Sequence, residues 1–225
     1  MQPQDLKAAM GMAAGPIGSY APLRVLFILT ILSLLPALVL TGTSFLRTVI
    51  VLGFVRQGMG TQQTPPTQVI VGLALFMTAF TMSPIATQIY ERGFEPYEKG
   101  QITEAQAMDA ASMPIKSFML RQTRQNDLLL FYDASKTPLP RTPEEVPLRI
   151  AAPAFVVSEL TTAFQMGVMI LLPFLVVDLA VASILMSMGM VFVSPTTISL
   201  PIKLILFVLA DGWNLVIGSL MKSFH

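Results

Sequence analysis

Five charged side chains stand inside stretches that are otherwise apolar. They are Arg47, Glu159, Asp178, Lys203 and Asp211. A charged group at membrane depth costs at least a few kcal/mol, so such groups face protein or water and often mark a proton or ion path. The same charges can instead pair with one another, since two acids and a base in the last segments could neutralise each other. The sequence favours the second interpretation, in which these residues organise contacts between subunits.

Glu159 shares a predicted helix face with small residues. Ala163 and Gly167 follow it at i+4 and i+8, so the three lie on one side of a helix. Small residues let a second helix approach closely, and the carboxylate then has a neighbour to bond to. We therefore expect this face, with Phe164 beside it, to pack against other helices.

A turn dense in methionine separates the last two apolar stretches. Its apolar residues are Met186, Met188, Met190, Val191 and Phe192. Methionine commonly fills irregular gaps in cores, so these residues could fill a helix bend. Alternatively, flexible apolar side chains that line a pore would seal it against water and ions yet deform around a passing chain. Composition alone does not distinguish the two interpretations.

The chain lacks the residues of most catalytic sites. It has no cysteine, and its one histidine is the terminal His225. Zinc clusters and nucleophilic sites built on Cys/His or Ser/His are therefore excluded. No dinucleotide fingerprint or nucleotide loop is present either. The sequence predicts no enzyme activity, no cofactor and no metal, and the net charge of +1 gives no sign of a nucleic-acid partner.

Composition indicates a membrane protein with one polar insert. The mean hydropathy is +0.67 and only 12% of residues are charged, about half the usual fraction of a soluble domain. Residues 91–149 hold eight of the fourteen basic residues and nine of the thirteen acidic ones. Loop charges elsewhere are too few to fix the membrane orientation.

Four long apolar segments are predicted, each long enough to span a membrane. Leu23 to Leu40 is the first, with Pro36 as a kink, and its pattern resumes around Arg47. Val69 to Ile89 is the second, and the short link favours an antiparallel hairpin. Ile150 begins the third, and the fourth runs from Pro201 to about Met221. The predicted parts are a tail (1–22), a first helical hairpin (23–90), the insert (91–149), a second hairpin (150–221) with a pore loop at 186–195, and a tail (222–225).

The insert is predicted to be helical. Thr103 with Gln106 forms a capping-box pattern that opens a short helix through Ala111. Ser112, with Pro114 shortly after it, is expected to start a second helix. Four prolines between 138 and 147 predict an extended return to the membrane. The fold class is thus an all-α, membrane-associated protein of kinked hairpins with a small helical insert.

Several motifs in order resemble the FliP family of type III secretion export-gate proteins. The segment Pro153 to Gly167 is similar to the family signature, and the resemblance extends to Phe174–Leu179 and Leu200–Leu204 with Asp211–Trp213. Upstream matches are Thr43–Arg47, Gly72–Phe76 and Phe118–Arg124. Together these motifs cover nearly the whole chain from about Leu23.

This resemblance implies a core subunit of the flagellar export gate in the bacterial inner membrane, within the flagellar basal body. It implies a homo-pentamer completed by FliR-like and FliQ-like subunits beside other export-apparatus proteins, with unfolded flagellar proteins passing through the centre. The helices would form a spiralling cone raised out of the bilayer. The family's methionine gasket corresponds to the turn at Met190, although Val191 and Phe192 stand where methionines are common.

The resemblance also implies that the insert is periplasmic and that a signal peptide is cleaved from the chain. The first twenty-two residues do not contain the continuous apolar core that a signal peptide has. One rival is the homologous subunit of a virulence injectisome. Another is an ion-coupled transporter using Glu159 and Asp178, which predicts internal repeats that the two halves do not display. A membrane scaffold without a pore is the third.

Overall fold

The structure is a computed structural model that describes residues 21–61, 63–190 and 192–224. Within these ranges every regular element is a helix, which confirms the all-α prediction. Val191, His225 and the predicted tail up to residue 20 lie outside the described residues. The chain divides into two units, Met1–Leu40 and Thr41–His225.

Helix α1, Ala21–Thr41, is the described part of the first unit and contains the predicted first apolar segment with Pro36 inside it. Helix α2, Phe45–Gly58, opens the second unit. Its buried positions recur every three or four residues, so one face is covered along its whole length. Those positions are Phe45, Arg47, Thr48, Val51, Leu52, Val55 and Gly58.

Helix α3, Thr67–Ile89, packs against α2 across a short loop. It continues through a π-helical turn, Tyr90–Phe94, into the short helix α4, Glu95–Glu98. Gly93 lies where the next helix crosses this turn. A Cβ at Gly93 would stand 2.9 Å from the Cβ of Ala111 and 3.0 Å from the carbonyl oxygen of Ala107, so the glycine permits the close approach.

Helix α5, Glu104–Gln122, begins with the predicted capping box. The backbone N–H of Thr103 donates to Gln106 Oε1 at 3.0 Å, and the N–H of Gln106 donates to Thr103 Oγ1 at 3.4 Å. The predicted break near Ser112 was wrong, because α5 passes through Pro114 as one helix. Tertiary packing on both sides of that proline outweighs its lost hydrogen bond: residues 107 and 111 pack near Gly93, and residues 118 and 119 lie in the core.

Helix α6, Gln125–Ser135, follows α5 almost directly and ends at Lys136, whose φ of 50° is left-handed. The proline-rich segment after it contains one 3-10 turn, Pro143–Glu145, and otherwise runs without helix to Pro147. This agrees with the extended return expected from its prolines. Tyr132 and Val146 form a small buried cluster with the start of the next helix.

Helix α7, Leu148–Ser187, is the longest element at 40 residues, a length of roughly 60 Å. It passes through Pro153 and Pro173. Its end is closed by Gly189 with a φ of 73°. The Gly189 N–H donates to the carbonyl of Met186 at 3.1 Å, and the Met190 N–H donates to that of Leu185 at 3.0 Å. These are the two bonds of a Schellman motif, which favours glycine at this position.

The fourth apolar segment begins earlier than predicted. Helix α8, Pro195–Leu209, starts six residues before Pro201, since Pro195 occupies a first-turn position where its missing N–H costs nothing. Helix α9, Gly212–Lys222, follows after a bend of 64°. Asp211 lies in the bend with a left-handed φ of 51°, and a Cβ on Gly212 would overlap the ring of Phe207.

Among the described residues, two helical stretches are long and apolar enough to cross a membrane, Thr67–Glu98 and Leu148–Ser187, and the bent pair α8–α9 is a third if it counts as one span. Helix α7 lies at the centre of the second unit and contacts α2, α5, α6 and α8. Even so, only 17% of its most apolar 18-residue stretch is buried within the chain. Most of that apolar surface therefore needs lipid or another protein chain to cover it.

Candidate functional site

Arg47 and Glu159 form a buried ion pair between α2 and α7. Both side chains are almost completely buried. Arg47 Nε donates to Glu159 Oε2 at 2.9 Å, and Arg47 Nη2 donates to Glu159 Oε1. This two-point geometry is the strongest arrangement that an arginine and a carboxylate can adopt. The two residues are 112 positions apart in the chain, so the pair fixes one helix against a distant one.

The remaining donors of Arg47 are also satisfied. Nη1 donates to the carbonyl oxygen of Ser223 at 2.8 Å and to Ser223 Oγ at 3.0 Å, and Nη2 donates to Gln122 Oε1 at 3.0 Å. A guanidinium group has five N–H donors, and all five have a protein acceptor here. Such complete pairing is what makes a buried charge tolerable away from water.

Phe224 closes the arrangement from one side. Its ring centroid lies 4.1 Å from Arg47 Cζ, within the range of a cation–π contact. Its carbonyl oxygen accepts from Gln122 Nε2 at 3.2 Å. We call Arg47, Glu159, Gln122, Ser223 and Phe224 the Arg47 junction. It ties α2, α5 and α7 to the residues that follow α9.

Three members of the Arg47 junction were not among the predicted site residues. Gln122, Ser223 and Phe224 are neutral, and a single neutral side chain near a helix end gives no signal of its own. Gln122 does stand inside the motif Phe118–Arg124 used for the family resemblance. That motif is the one available clue.

A second polar cluster joins α6 to α7. Ser158 Oγ donates to Asp127 Oδ2 at 2.6 Å and accepts from the backbone N–H of Arg124 at 3.0 Å. The Arg124 guanidinium donates to Gln165 Oε1 at 2.6 Å and to Thr162 Oγ1 at 3.2 Å. Arg124 therefore binds side chains of its own chain.

Asp178 and Lys203 form the third polar contact, between α7 and α8. Lys203 Nζ donates to Asp178 Oδ2, and Ser199 Oγ donates to Asp178 Oδ1 at 2.6 Å. Lys203 and Ser199 are buried, while the Asp178 side chain is about one third exposed. The two predicted charges thus neutralise each other inside one chain.

Asp211 differs from the other four predicted charges. It is exposed at the bend between α8 and α9, and its Oδ2 accepts from Asn214 Nδ2 at 3.0 Å. Among residues 21–61, 63–190 and 192–224, the ion pairs are Arg47–Glu159, Lys203–Asp178 and Lys99–Glu95. Asp211 consequently has no cationic partner within the described part of the chain.

Helix α2 lies against the small-residue face of α7. Ala163 is fully buried in the main core. A Cβ on Gly167 would overlap the ring of Phe54, so this aromatic ring lies where only glycine leaves room. Phe164 is exposed on α7, and its ring packs edge-on against Phe54 with centroids 5.3 Å apart. The three predicted packing residues therefore surround one contact with α2.

The methionine turn, residues 186–193, presents outward those apolar side chains that the structure describes. Met186, Met188 and Met190 are 68%, 65% and 45% exposed, and Phe192 is fully exposed. Val193 is exposed as well. An apolar patch of this kind on a membrane-associated protein marks a surface that other protein or lipid covers. The turn therefore does not fill a bend of its own subunit, which was the alternative left open by composition.

Outside the candidate spans, one buried group has an altered pKa. Burial raises the pKa of the Tyr132 hydroxyl above its usual value, and the nearby charge of Glu145 adds to this. The hydroxyl has no hydrogen-bond partner among the described residues. Tyr132 therefore contrasts with the Arg47 junction, where every polar group is paired.

The fold and its paired charges define an all-helical, membrane-embedded protein, and comparison with known proteins identifies the class. A sequence model of the FliP family matches residues 28–220. The flagellar biosynthetic protein FliP of Pectobacterium carotovorum is 50% identical over 202 residues, which cover 90% of this chain and 78% of the relative. The protein of that name from Caulobacter vibrioides is 52% identical over 198 residues, 88% and 74% of the two chains. That of Bacillus subtilis is 45% identical over 212 residues, 94% and 96%.

The chain therefore belongs to the FliP family, a component of the flagellar export apparatus. This confirms the family resemblance seen in the sequence. The family is structural rather than enzymatic, as the residue content predicted. The three relatives are all described as flagellar, which favours the flagellar branch over the injectisome alternative.

Proposed function

We propose that this chain is a core pore-forming subunit of the flagellar type III protein export gate, through which unfolded flagellar proteins cross the inner membrane. The observation that carries this proposal is the exposed methionine turn at the end of the longest helix. The exposed side chains are those of Met186, Met188, Met190 and Phe192, at the turn between α7 and α8. Val191 would complete the same apolar set.

Such a turn suits a seal that must open and close again. Copies of the turn that meet around a central axis would exclude water and ions, because an apolar constriction gates by dewetting. Methionine side chains have three rotatable bonds and a polarizable sulfur, so they adapt to partners of many shapes. An unfolded chain could therefore pass without any one sequence being recognised.

Assembly follows from the apolar surface that one chain leaves uncovered. We propose that the four apolar segments form two kinked hairpins and that five copies, completed by FliR-like and FliQ-like subunits, build a conical ring. The uncovered face of α7 supports this, since nearly all of its exposed residues between positions 160 and 179 are apolar. Its large exposed residues include Leu160, Phe164, Val168, Leu172, Leu175, Val176 and Leu179.

The predicted charges have two roles in this proposal. Arg47–Glu159 and Asp178–Lys203 pair within one chain, so they would hold α2, α7 and α8 in register and give each subunit a fixed shape at its contacts. Asp211, exposed at the α8–α9 bend, is the charge best placed to meet a neighbouring subunit. An ion-coupled transporter is less well supported, because Glu159 and Asp178 already bind a basic side chain of their own chain.

We propose the inner membrane and the flagellar basal body as the location, with the insert in the periplasm. The insert supports this as the one highly charged part of the chain, with eight basic and nine acidic residues in positions 91–149. Fusion of a reporter that is active only in the periplasm to the Pro138–Arg141 loop tests it. A reporter that is active only on the cytoplasmic side would contradict this orientation.

The pore role is tested by replacing residues 190–193 with glycine. The expected result is an ion leak in cells that assemble the complete gate, because glycine removes the apolar seal without adding bulk. Leu139→Gly is the control, since Leu139 is also an exposed apolar residue and lies in a loop of the insert. A gate that stays as ion-tight as the Leu139→Gly control would sink the pore proposal.

The assembly is tested by native mass spectrometry of the detergent-extracted protein, alone and with FliQ-like and FliR-like chains. A discrete pentamer that gains mass with those chains is expected. A monomer or dimer that ignores them would contradict the ring.

A further inference from the structure

The methionine turn contains three thioether groups within five residues, and all three are exposed on the surface of the single chain. Met186, Met188 and Met190 are each at least 45% exposed. Thioethers are the side chains most readily oxidised after thiols, and their susceptibility follows exposure. The chain has no cysteine, so no thiol in this protein competes for an oxidant.

Three other methionines of the same chain are buried. Met59 and Met77 lie in the main core, Met119 lies in the cluster beneath α5, and all three are between 4% and 7% exposed. Met108 on α5 and Met169 on α7 are as exposed as the turn residues, but neither belongs to a cluster of exposed methionines as dense as that of the turn. The protein thus carries clustered, isolated and buried methionines side by side.

We propose that the methionine turn is an oxidation site at which a two-electron oxidant opens the closed gate. Hypohalous acids and peroxides are the oxidants of this class. In the reaction with hypochlorous acid, a lone pair of the sulfur attacks the acid, and the sulfur gains one oxygen. The thioether becomes a sulfoxide, and the reagent is reduced to chloride with release of one proton. This inference rests on the proposed pore function, although the order of oxidation does not.

The physical consequence lies in the polarity of the product. A sulfoxide oxygen is a strong hydrogen-bond acceptor, so each oxidised side chain attracts water into a contact that was apolar. An apolar constriction excludes ions because it is dry. Up to three sulfoxides in each turn, repeated in every copy around the axis, would wet that constriction. Reduction by methionine sulfoxide reductases would restore the seal.

The order of oxidation is tested first on the subunit kept dissociated in detergent, where the turn is exposed, by treatment with limiting hypochlorous acid. Peptide mass spectrometry then follows the gain of oxygen at each methionine. Met186, Met188 and Met190 are expected to react about tenfold faster than Met59, Met77 and Met119. Equal rates in the two sets would overturn the proposal at its first step.

The effect on the gate is tested in cells that assemble the complete export apparatus. Ion leak is measured before and after oxidant in the unmodified protein, in Met186→Leu/Met188→Leu/Met190→Leu, and in Met108→Leu. Leucine keeps an apolar side chain but has no sulfur to oxidise. The leak is expected to rise severalfold after oxidant in the unmodified protein and in Met108→Leu. No rise above its own untreated value is expected in the triple variant.

The outcomes separate the two proposals. A rise in the triple variant equal to that in the unmodified protein would place the sensitive group elsewhere and overturn the oxidation proposal. If glycines at residues 190–193 cause a leak but oxidation of the turn does not, the pore proposal stands and the oxidation proposal fails. If neither change causes a leak, the pore proposal itself fails.

Discussion

The Arg47 junction and the methionine turn are opposites within one small protein. At the junction, charged and polar groups are buried and each N–H of the guanidinium has an acceptor in the same chain. At the turn, apolar groups are exposed and contact little of their own chain. The usual rule places polar groups outside and apolar groups inside, and here both regions reverse it.

The contrast shows which part of the structure one subunit completes by itself. A buried ion pair contributes to stability only when its partners are all present, and the junction has them without help from another chain. The turn has an exposed apolar surface whose burial must come from outside the subunit. Folding of the subunit and the proposed sealing of a gate should therefore respond to different substitutions.

Glu159→Ala should cause the largest loss of stability. It leaves the Arg47 charge buried with two of its five bonds missing, and breaking a buried pair from one side costs about 3–5 kcal/mol. Unfolding of the detergent-solubilised protein, followed by circular dichroism in a denaturant titration, measures this change. Arg47→Met/Glu159→Leu is the matched control, since removal of both charges should cost less than either single change. A double variant that loses the sum of both single losses would contradict the pairing.

Gly167→Ala should have the second largest effect. The added methyl group would collide with the Phe54 ring, and such overpacking costs roughly 1–3 kcal/mol. Gly53→Ala is the control on the facing helix, because a Cβ there meets no atom within 4 Å. That change should be neutral or stabilising, since alanine favours helix over glycine by about 1 kcal/mol. The same denaturant titration compares them, and equal losses would show that α2 and α7 are not in close contact at Gly167.

The sequence predicted the residues that hold the helices together better than it predicted their partners. The spacing of Glu159 and Gly167 indicated a face for another helix, and α2 lies there. However, the bond from Arg47 to Glu159 crosses 112 residues, and nothing local links the two. Gln122 and Ser223 complete the junction through neutral groups, whose role depends on the tertiary fold alone.

Proline positions explain where the predicted helix bounds differ from the structure. Pro114 suggested a new helix, whereas packing near Gly93 and at Phe118 keeps α5 continuous. Pro201 suggested the start of the fourth segment, although Pro195 fits the first turn equally well and the helix begins there. A proline is compatible with a helix start or with an interior position that packing compensates, so local sequence alone cannot choose.

Tyr132→Phe should have a small effect on the free energy of unfolding. Its sign should be opposite to that of the losses expected for Glu159→Ala and Gly167→Ala. The buried hydroxyl has no hydrogen-bond partner among the described residues, so its removal should be neutral or stabilise the protein by about 1 kcal/mol. Because burial raises the pKa of Tyr132 in the folded state, stability is full below the ordinary tyrosine pKa of about 10 and falls as pH rises above it. Thermal unfolding between pH 8 and about pH 11 should show that fall reduced in Tyr132→Phe. An identical pH dependence in both proteins would mean that the hydroxyl is not buried.

Met186→Leu/Met188→Leu/Met190→Leu should change the stability of the isolated subunit least of all. The three side chains are exposed, and exposed substitutions usually stay within about 0.5 kcal/mol. The subunit alone, kept dissociated in detergent, is the sample that isolates this effect in a denaturant titration. A loss comparable to that of Gly167→Ala would show that the turn packs into its own subunit, and the contrast with the Arg47 junction would then disappear. A negligible loss, together with the leak expected from glycines at residues 190–193, would assign the turn to the gate rather than to the fold.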